Sequence, residues 1–96
     1  MSAIRISVEA QNDIEEIAIY STRTWGWRQT DLYLERIGEC VDLIAANPSI
    51  GRACDKVRSG LRRFEIGSHV LFYAAEANGI LLVRVLHQRM LPTEHI

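Results

Sequence analysis

Arg84, His87 and Arg89 gather where an otherwise apolar run, Ile80 to Leu86, gives out. A strand that only packs has no need of them. Upstream, Arg58, Arg62 and Arg63 place three more guanidinium groups within six residues. Arg presents a planar, bidentate fork that matches carboxylate and phosphate, and it stacks on aromatic faces. The set reads as a surface that meets something acidic: a phosphate backbone or an acidic protein segment. The plainer alternative is a charged sheet edge that discourages aggregation. That accounts for one or two arginines more readily than for five and a histidine.

Other chemistry finds less support. There is no Gly-x-Ser-x-Gly elbow, and neither Cys40 nor Cys54 has an obvious base beside it. His69, His87 and His95 lack the close spacing of a metal-binding helix, and no Gly-rich phosphate loop follows a strand. No catalytic residue, metal or cofactor is therefore expected. Trp27, beside Arg28, invites comparison with a base-stacking platform, against the commoner role of packing at a helix junction.

These side chains need elements to position them. Ile4 to Val8 alternates apolar and polar like a half-buried strand. Ile14, Ile17, Ala18, Ser21 and Trp25 then recur at helical spacing and predict an amphipathic helix that buries Trp25. Ser7 and Asn12 are both possible caps for its start, and Gly26 is its stop. A second helix is predicted from Trp27 to Ala46, with Tyr33, Ile37, Cys40, Val41 and Ile44 in its apolar stripe. It ends before Asn47-Pro48, because a residue preceding Pro is pushed out of helical geometry. So short a link makes the pair an antiparallel hairpin.

Pro48 to Gly60 reads as loop. Three strands follow, at about Leu61–Ile66, Val70–Ala75 and Ile80–Leu86, turned at Gly67-Ser68 and Asn78-Gly79. The expectation is an α+β fold of order β-α-α-β-β-β, with the helical hairpin packed on a small antiparallel sheet, as one domain over residues 1–96. Arg62 and Arg63 point to opposite faces. Arg84 and Gln88 share one face of the last strand, with His87 and Arg89 on the other. Arg84 is expected to brace Glu65 or Glu76, and the tail Met90 to Ile96 to be the least structural part.

The 96 residues carry a formal net charge of −1, but residues 1–48 hold four Arg against eight acids and residues 49–96 hold seven basic residues against four acids. A domain of this size buries only about 60–65% of its unfolded surface, so a partner would add to its stability. No apolar run nears the ~20 residues of a membrane span, and a cytosolic protein with two free thiols is expected.

In order and spacing, these residues resemble the ParE branch of the RelE/ParE toxin superfamily, the toxin halves of bacterial type II toxin–antitoxin modules. The resemblance spans nearly the whole chain. It rests on Ala10-x-x-Asp13-Ile14-x-x-Ile17 with Tyr20, Trp25-Gly26, Ile44-Ala45-x-Asn47-Pro48-x-x-Gly51, Arg58-x-Gly60-x-Arg62-Arg63, Gly67-Ser68-His69-Val70-x-Phe72-Tyr73 and Arg84 to Met90. It implies a toxin that blocks DNA gyrase and is neutralised by a ParD-like antitoxin, with no membrane role and no sequence-specific DNA binding of its own. On that reading Arg84, His87 and Arg89 are candidates for target inhibition, and Arg58, Arg62, Arg63 and Trp27 for antitoxin binding. RelE-type relatives instead cut messenger RNA on the ribosome, with several lysines and a C-terminal tyrosine. Here Lys56 is the only lysine and no tyrosine follows Tyr73. Glu65, Arg63 and His87 could still mimic the Glu, Arg and His set of some nuclease relatives. A third reading is a non-toxic module that only binds an antitoxin.

Overall fold

A computed structural model describes residues 3–96. Ser7 decides where strand gives way to helix. The strand β1 covers Ala3–Ile6, and α1 covers Val8–Trp25. Between them the Ser7 hydroxyl accepts the Ala10 N–H at 3.0 Å, which satisfies one of the open amides of the first turn. The same hydroxyl donates to the Val83 carbonyl at 2.7 Å, tying the helix start to the sheet. Asn12 lies inside the helix. Gly26, at φ 91°, ends α1 in a conformation that strains any other residue.

The helix α2 runs Trp27–Ala46, as its sequence bounds predict. Across the hairpin the Thr30 hydroxyl lies 2.9 Å from that of Ser21 and 3.1 Å from that of Thr22, and it also reaches the Gly26 carbonyl. Beyond this clasp the core ends. Residues 22–29 are all exposed. Trp25 is therefore 69% exposed rather than buried, and Trp27 is 63% exposed with the Arg28 guanidinium 5.3 Å over its ring. The stripe that predicted a buried Trp25 keeps its period past the point where there is a sheet to pack on.

The segment read as loop holds a 3-10 turn at Pro48–Ile50 and a two-residue strand, β2, Arg52–Ala53. Two residues show no alternation, so the strand leaves no periodic signal. The strands β3, Leu61–Ile66, β4, His69–Glu76, and β5, Gly79–His87, form the antiparallel meander, and α3, Pro92–His95, follows. The sheet has five strands in the order β1-β5-β4-β3-β2. It is mixed, because β1 pairs parallel to β5. Gly67-Ser68 turns β3 into β4 as expected. The second turn falls on Ala77 and Asn78, with Gly79 already in β5. Gly79 is required there for a different reason: a Cβ would collide with the backbone of Ala3 in β1.

Both sheet faces are buried, which is why β4 and β5 read as unbroken apolar runs. The helical face packs Leu71, Tyr73, Ile80, Leu82 and Val85 against Ala10, Ile37, Val41, Ile44 and Ala45. The other face buries Leu61, Val70, Phe72, Val83 and Leu86 beneath Cys54, Val57 and Ile96. Of the tail expected to be least structural, half-buried Ile96 thus packs on the second core, while Met90, Leu91, Thr93, Glu94 and His95 are exposed. Tyr73, fully buried, donates its hydroxyl to the Pro48 carbonyl at 2.7 Å and accepts the Gly51 N–H at 2.8 Å, pinning the turn after α2 to the sheet.

Candidate functional site

Where β1 stops, the outer edge of β5 loses its strand partner, and α1 takes over. The Asp13 carboxylate accepts the Val85 N–H at 3.0 Å. It also receives Nε and Nη2 of Arg84 at 2.8 and 2.9 Å, a bidentate pair whose side chains are only 20% and 11% exposed. The hydrogen bond to Asp13 outweighs burial and raises the Arg84 pKa above its ordinary value. A third nitrogen donates to the His95 carbonyl at 2.7 Å. A register shift between Phe72 and Tyr73 pairs them with Arg84 and Leu82, leaving Val83 as the extra residue. Such a bulge re-aims neighbouring side chains. Arg84 therefore braces Asp13, not the acids expected from the sequence. Glu65 instead pairs with Arg52 and lies 3.4 Å from Arg63, and Glu76 pairs with Arg5 at 2.7 Å. Burial opposes the charge on Glu65, but the Arg52 hydrogen bond and the Arg52 and Arg63 charges together lower its pKa.

His87 faces His69, its cross-strand partner, with ring centroids 5.5 Å apart at an edge-on 83°. The Tyr33 hydroxyl lies 2.6 Å from Nδ1 of His69 and 3.1 Å from the Ile66 carbonyl oxygen. One hydroxyl proton serves both contacts when Nδ1–H donates to Tyr33 and Tyr33 donates to the carbonyl. His69 then keeps Nε2 as an acceptor. Burial, with the nearby His87, lowers the His69 pKa. Nδ1 of His87 accepts the Arg89 backbone N–H at 3.2 Å. Arg89 itself is exposed and forms no ion pair among the described residues. The three C-terminal candidates thus divide into one neutralised cation, one half-buried imidazole and one free cation.

These imidazoles sit at the floor of a groove of about 620 Å³ between the helical hairpin and the ends of β4 and β5. Asp13, Glu16, Ile17, Tyr20 and Ser21 line it from α1 at helical spacing, and Gln29 and Tyr33 line it from α2. This groove has no signature in the sequence, where Tyr33 falls in a core stripe and Tyr20 and Asp13 stand out only as motif positions.

The basic candidates lie elsewhere. Arg62 donates to the Gly51 carbonyl at 2.6 Å, whereas Arg63 packs over Phe72 at 5.5 Å, on the other sheet face as predicted. A second hollow, lined by Arg52, Ala53, Cys54, Asp55, Lys56 and Arg63, lies on that side. Arg58 is exposed without an ion pair among the described residues. The Glu65, Arg63 and His87 set is not assembled. Glu65 and Arg63 alternate with Phe64 and Ile66, which face the helices, while His87 shares the helical face with Val85. Two strand spacings, about 10 Å, further separate β3 from β5.

Among the described residues no helix is long and apolar enough to cross a membrane, and no group of three or more acidic, His or Cys side chains is placed to hold a metal. A solved structure from P. aeruginosa, titled as a chromosomal ParDE TA system, superposes with a TM-score of 0.75 over 91% of this chain and 96% of its own, at 19% identity. That likeness concerns the fold. Toxin ParE1 of Mycobacterium tuberculosis is 46% identical over 86 residues, 88% of each chain. Toxin ParE1 of Caulobacter vibrioides is 34% identical over 96 residues, covering 100% of this chain and 99% of its own. Residues 4–92 match the family model described as ParE toxin of type II toxin-antitoxin system, parDE, and the chain belongs to that family.

Proposed function

We propose that this ParE-family chain arrests growth by inhibiting DNA gyrase, acts in the cytoplasm without catalysing a reaction itself, and is held inactive by a ParD-like antitoxin. The observation that carries the choice of target is the division of Glu65, Arg63 and His87 between two sheet faces. Cleavage of RNA needs a base and cations converging on one phosphate. Here the ion pairs to Asp13 and Glu65 already occupy Arg84 and Arg52. Arg89, free at the end of β5, with His87 beside it, is the target contact, and Arg84 positions that strand end. Arg58, Arg62 and Arg63, with Trp27 at the hairpin tip, are the antitoxin contacts, Arg58 as an exposed cation without an ion pair among the described residues and Trp27 as an exposed ring. Ion pairs there set orientation and partner choice more than affinity.

The test is to induce the chain in bacteria and follow incorporation of labelled thymidine and labelled amino acids. DNA synthesis falls first on this reading. Early collapse of protein synthesis with toxin-dependent transcript cuts would replace it with the nuclease reading, and normal growth would leave a non-toxic antitoxin-binding module.

A further inference from the structure

Arg52 and Arg63 stand directly opposite each other across β2 and β3. Like charges in that position repel. One carboxylate oxygen, Oε1 of Glu65, lies against both. Arg63 gains little from it. Its Nε approaches to 3.4 Å without forming a hydrogen bond, and that buried N–H has no partner among the described residues. The Arg63 side chain is only 30% exposed, so an acceptor from outside the chain is called for. Both arginines line the hollow of about 490 Å³ on this side, and Lys56 lines it from the turn after β2. Lys56 is exposed and forms no ion pair among the described residues. Asp55, also in the lining, accepts the Gly60 N–H at 2.8 Å. With Glu65 at its side, the hollow sets three cations against two carboxylates. Cations supplied by separate elements suit a tetrahedral oxyanion. Its oxygens point in several directions, where those of a carboxylate share one plane.

We propose that this hollow binds a phosphate group, with the Arg63 guanidinium and the Lys56 ammonium as its donors. Arg52 stays paired with Glu65 and adds its charge from across the strands. The lining holds no His or Tyr, and Asp55 is engaged by Gly60, so the site binds phosphate without a base to cleave an ester. It uses Arg63, which the antitoxin reading also uses, but it needs neither an antitoxin nor growth arrest.

Cys54 lines the same hollow and serves as the reporter, because Cys40→Ser leaves it as the sole thiol. Its alkylation by neutral iodoacetamide is timed in chloride, acetate, inorganic phosphate or a short oligothymidylate without terminal phosphate, all at equal ionic strength. Phosphate should slow the reaction saturably by about threefold or more, and acetate should not. Lys56→Gln should raise the half-saturating concentration about fivefold, and Arg63→Gln should raise it further. Arg23→Gln loses the same charge at an exposed position on α1 and should leave it unchanged. Should Arg63→Gln lose its fold in a thermal melt, exposed Lys56 decides the matter alone. Protection by oligothymidylate at a lower phosphate concentration assigns the site to a nucleic-acid backbone, and protection by inorganic phosphate alone assigns it to a free or terminal phosphate. No protection by either, equal protection by acetate, or a shift in Arg23→Gln as large as that in Lys56→Gln would overturn the proposal.

Discussion

Replacing Asp13 by Ala removes the one carboxylate that both neutralises Arg84 and completes the edge of β5. Two guanidinium nitrogens and the Val85 N–H lose their acceptor together. Breaking a buried ion pair from one side costs about 3–5 kcal/mol, and the residual exposure of 11% and 20% reduces this to roughly 2–4 kcal/mol. A domain of this size is stable by about 5–14 kcal/mol, so the loss is a large share of the whole. It lowers Tm by roughly 10–25 °C. Asp13→Asn keeps an acceptor for Val85 and should lose about half as much. In a double-mutant cycle with Arg84→Met, the pair should be coupled by about 1–3 kcal/mol, because the second substitution removes the cation that the first strands. Denaturant melts of the four proteins measure this. Losses under about 1 kcal/mol, with additive effects, would mean that the pair behaves like an exposed salt bridge and that β5 is held by strand pairing alone.

Three further outcomes follow from the same geometry. His69 has a folded pKa below its ordinary value of 6.5, among Tyr33 from α2, His87 from β5, Ser68 in the turn, and Asp13 and Glu16 across the groove. The unfolded chain binds that proton more readily, so this stability is present above 6.5 and is lost as pH falls through the folded value. His69→Gln should therefore narrow the Tm difference between about pH 8 and about pH 5.5, and an unchanged difference would remove His69 as its source. Arg89→Ala should change stability by under about 0.5 kcal/mol yet weaken growth arrest, whereas full toxicity would leave Arg89 as edge protection. Truncation after Met90 removes Ile96 from the second core and the His95 carbonyl from Arg84, and should cost about 1–3 kcal/mol in a denaturant melt.

Local rules made most of the architecture readable. The bounds of α2 follow from Gly26 and Asn47-Pro48, and the meander follows from apolar runs broken at Gly67-Ser68 and near Asn78. What escaped was long-range. The parallel pairing of β1 with β5, and the Arg84 bond to Asp13 across 71 residues, depend on a register that no window of sequence contains. Gly79 carries a turn signature but serves the close approach of β1. The tail looks polar and Pro-broken, and its last residue supplies the apolar contact. The candidate site was legible as residue types and not as a place. The arginines were visible, but their partners were not, and the groove appeared only when Tyr20, Tyr33 and His69 were brought together by three separate elements.

The proposed target is gyrase. Its most direct test is supercoiling of relaxed plasmid by purified gyrase with the purified chain added, beside an in vitro translation reaction containing ribosomes and messenger RNA. The account predicts loss of supercoiling at toxin concentrations that leave translation and the messenger intact, with an antitoxin-type partner restoring supercoiling. Undisturbed gyrase together with cleaved messenger on the ribosome would contradict it.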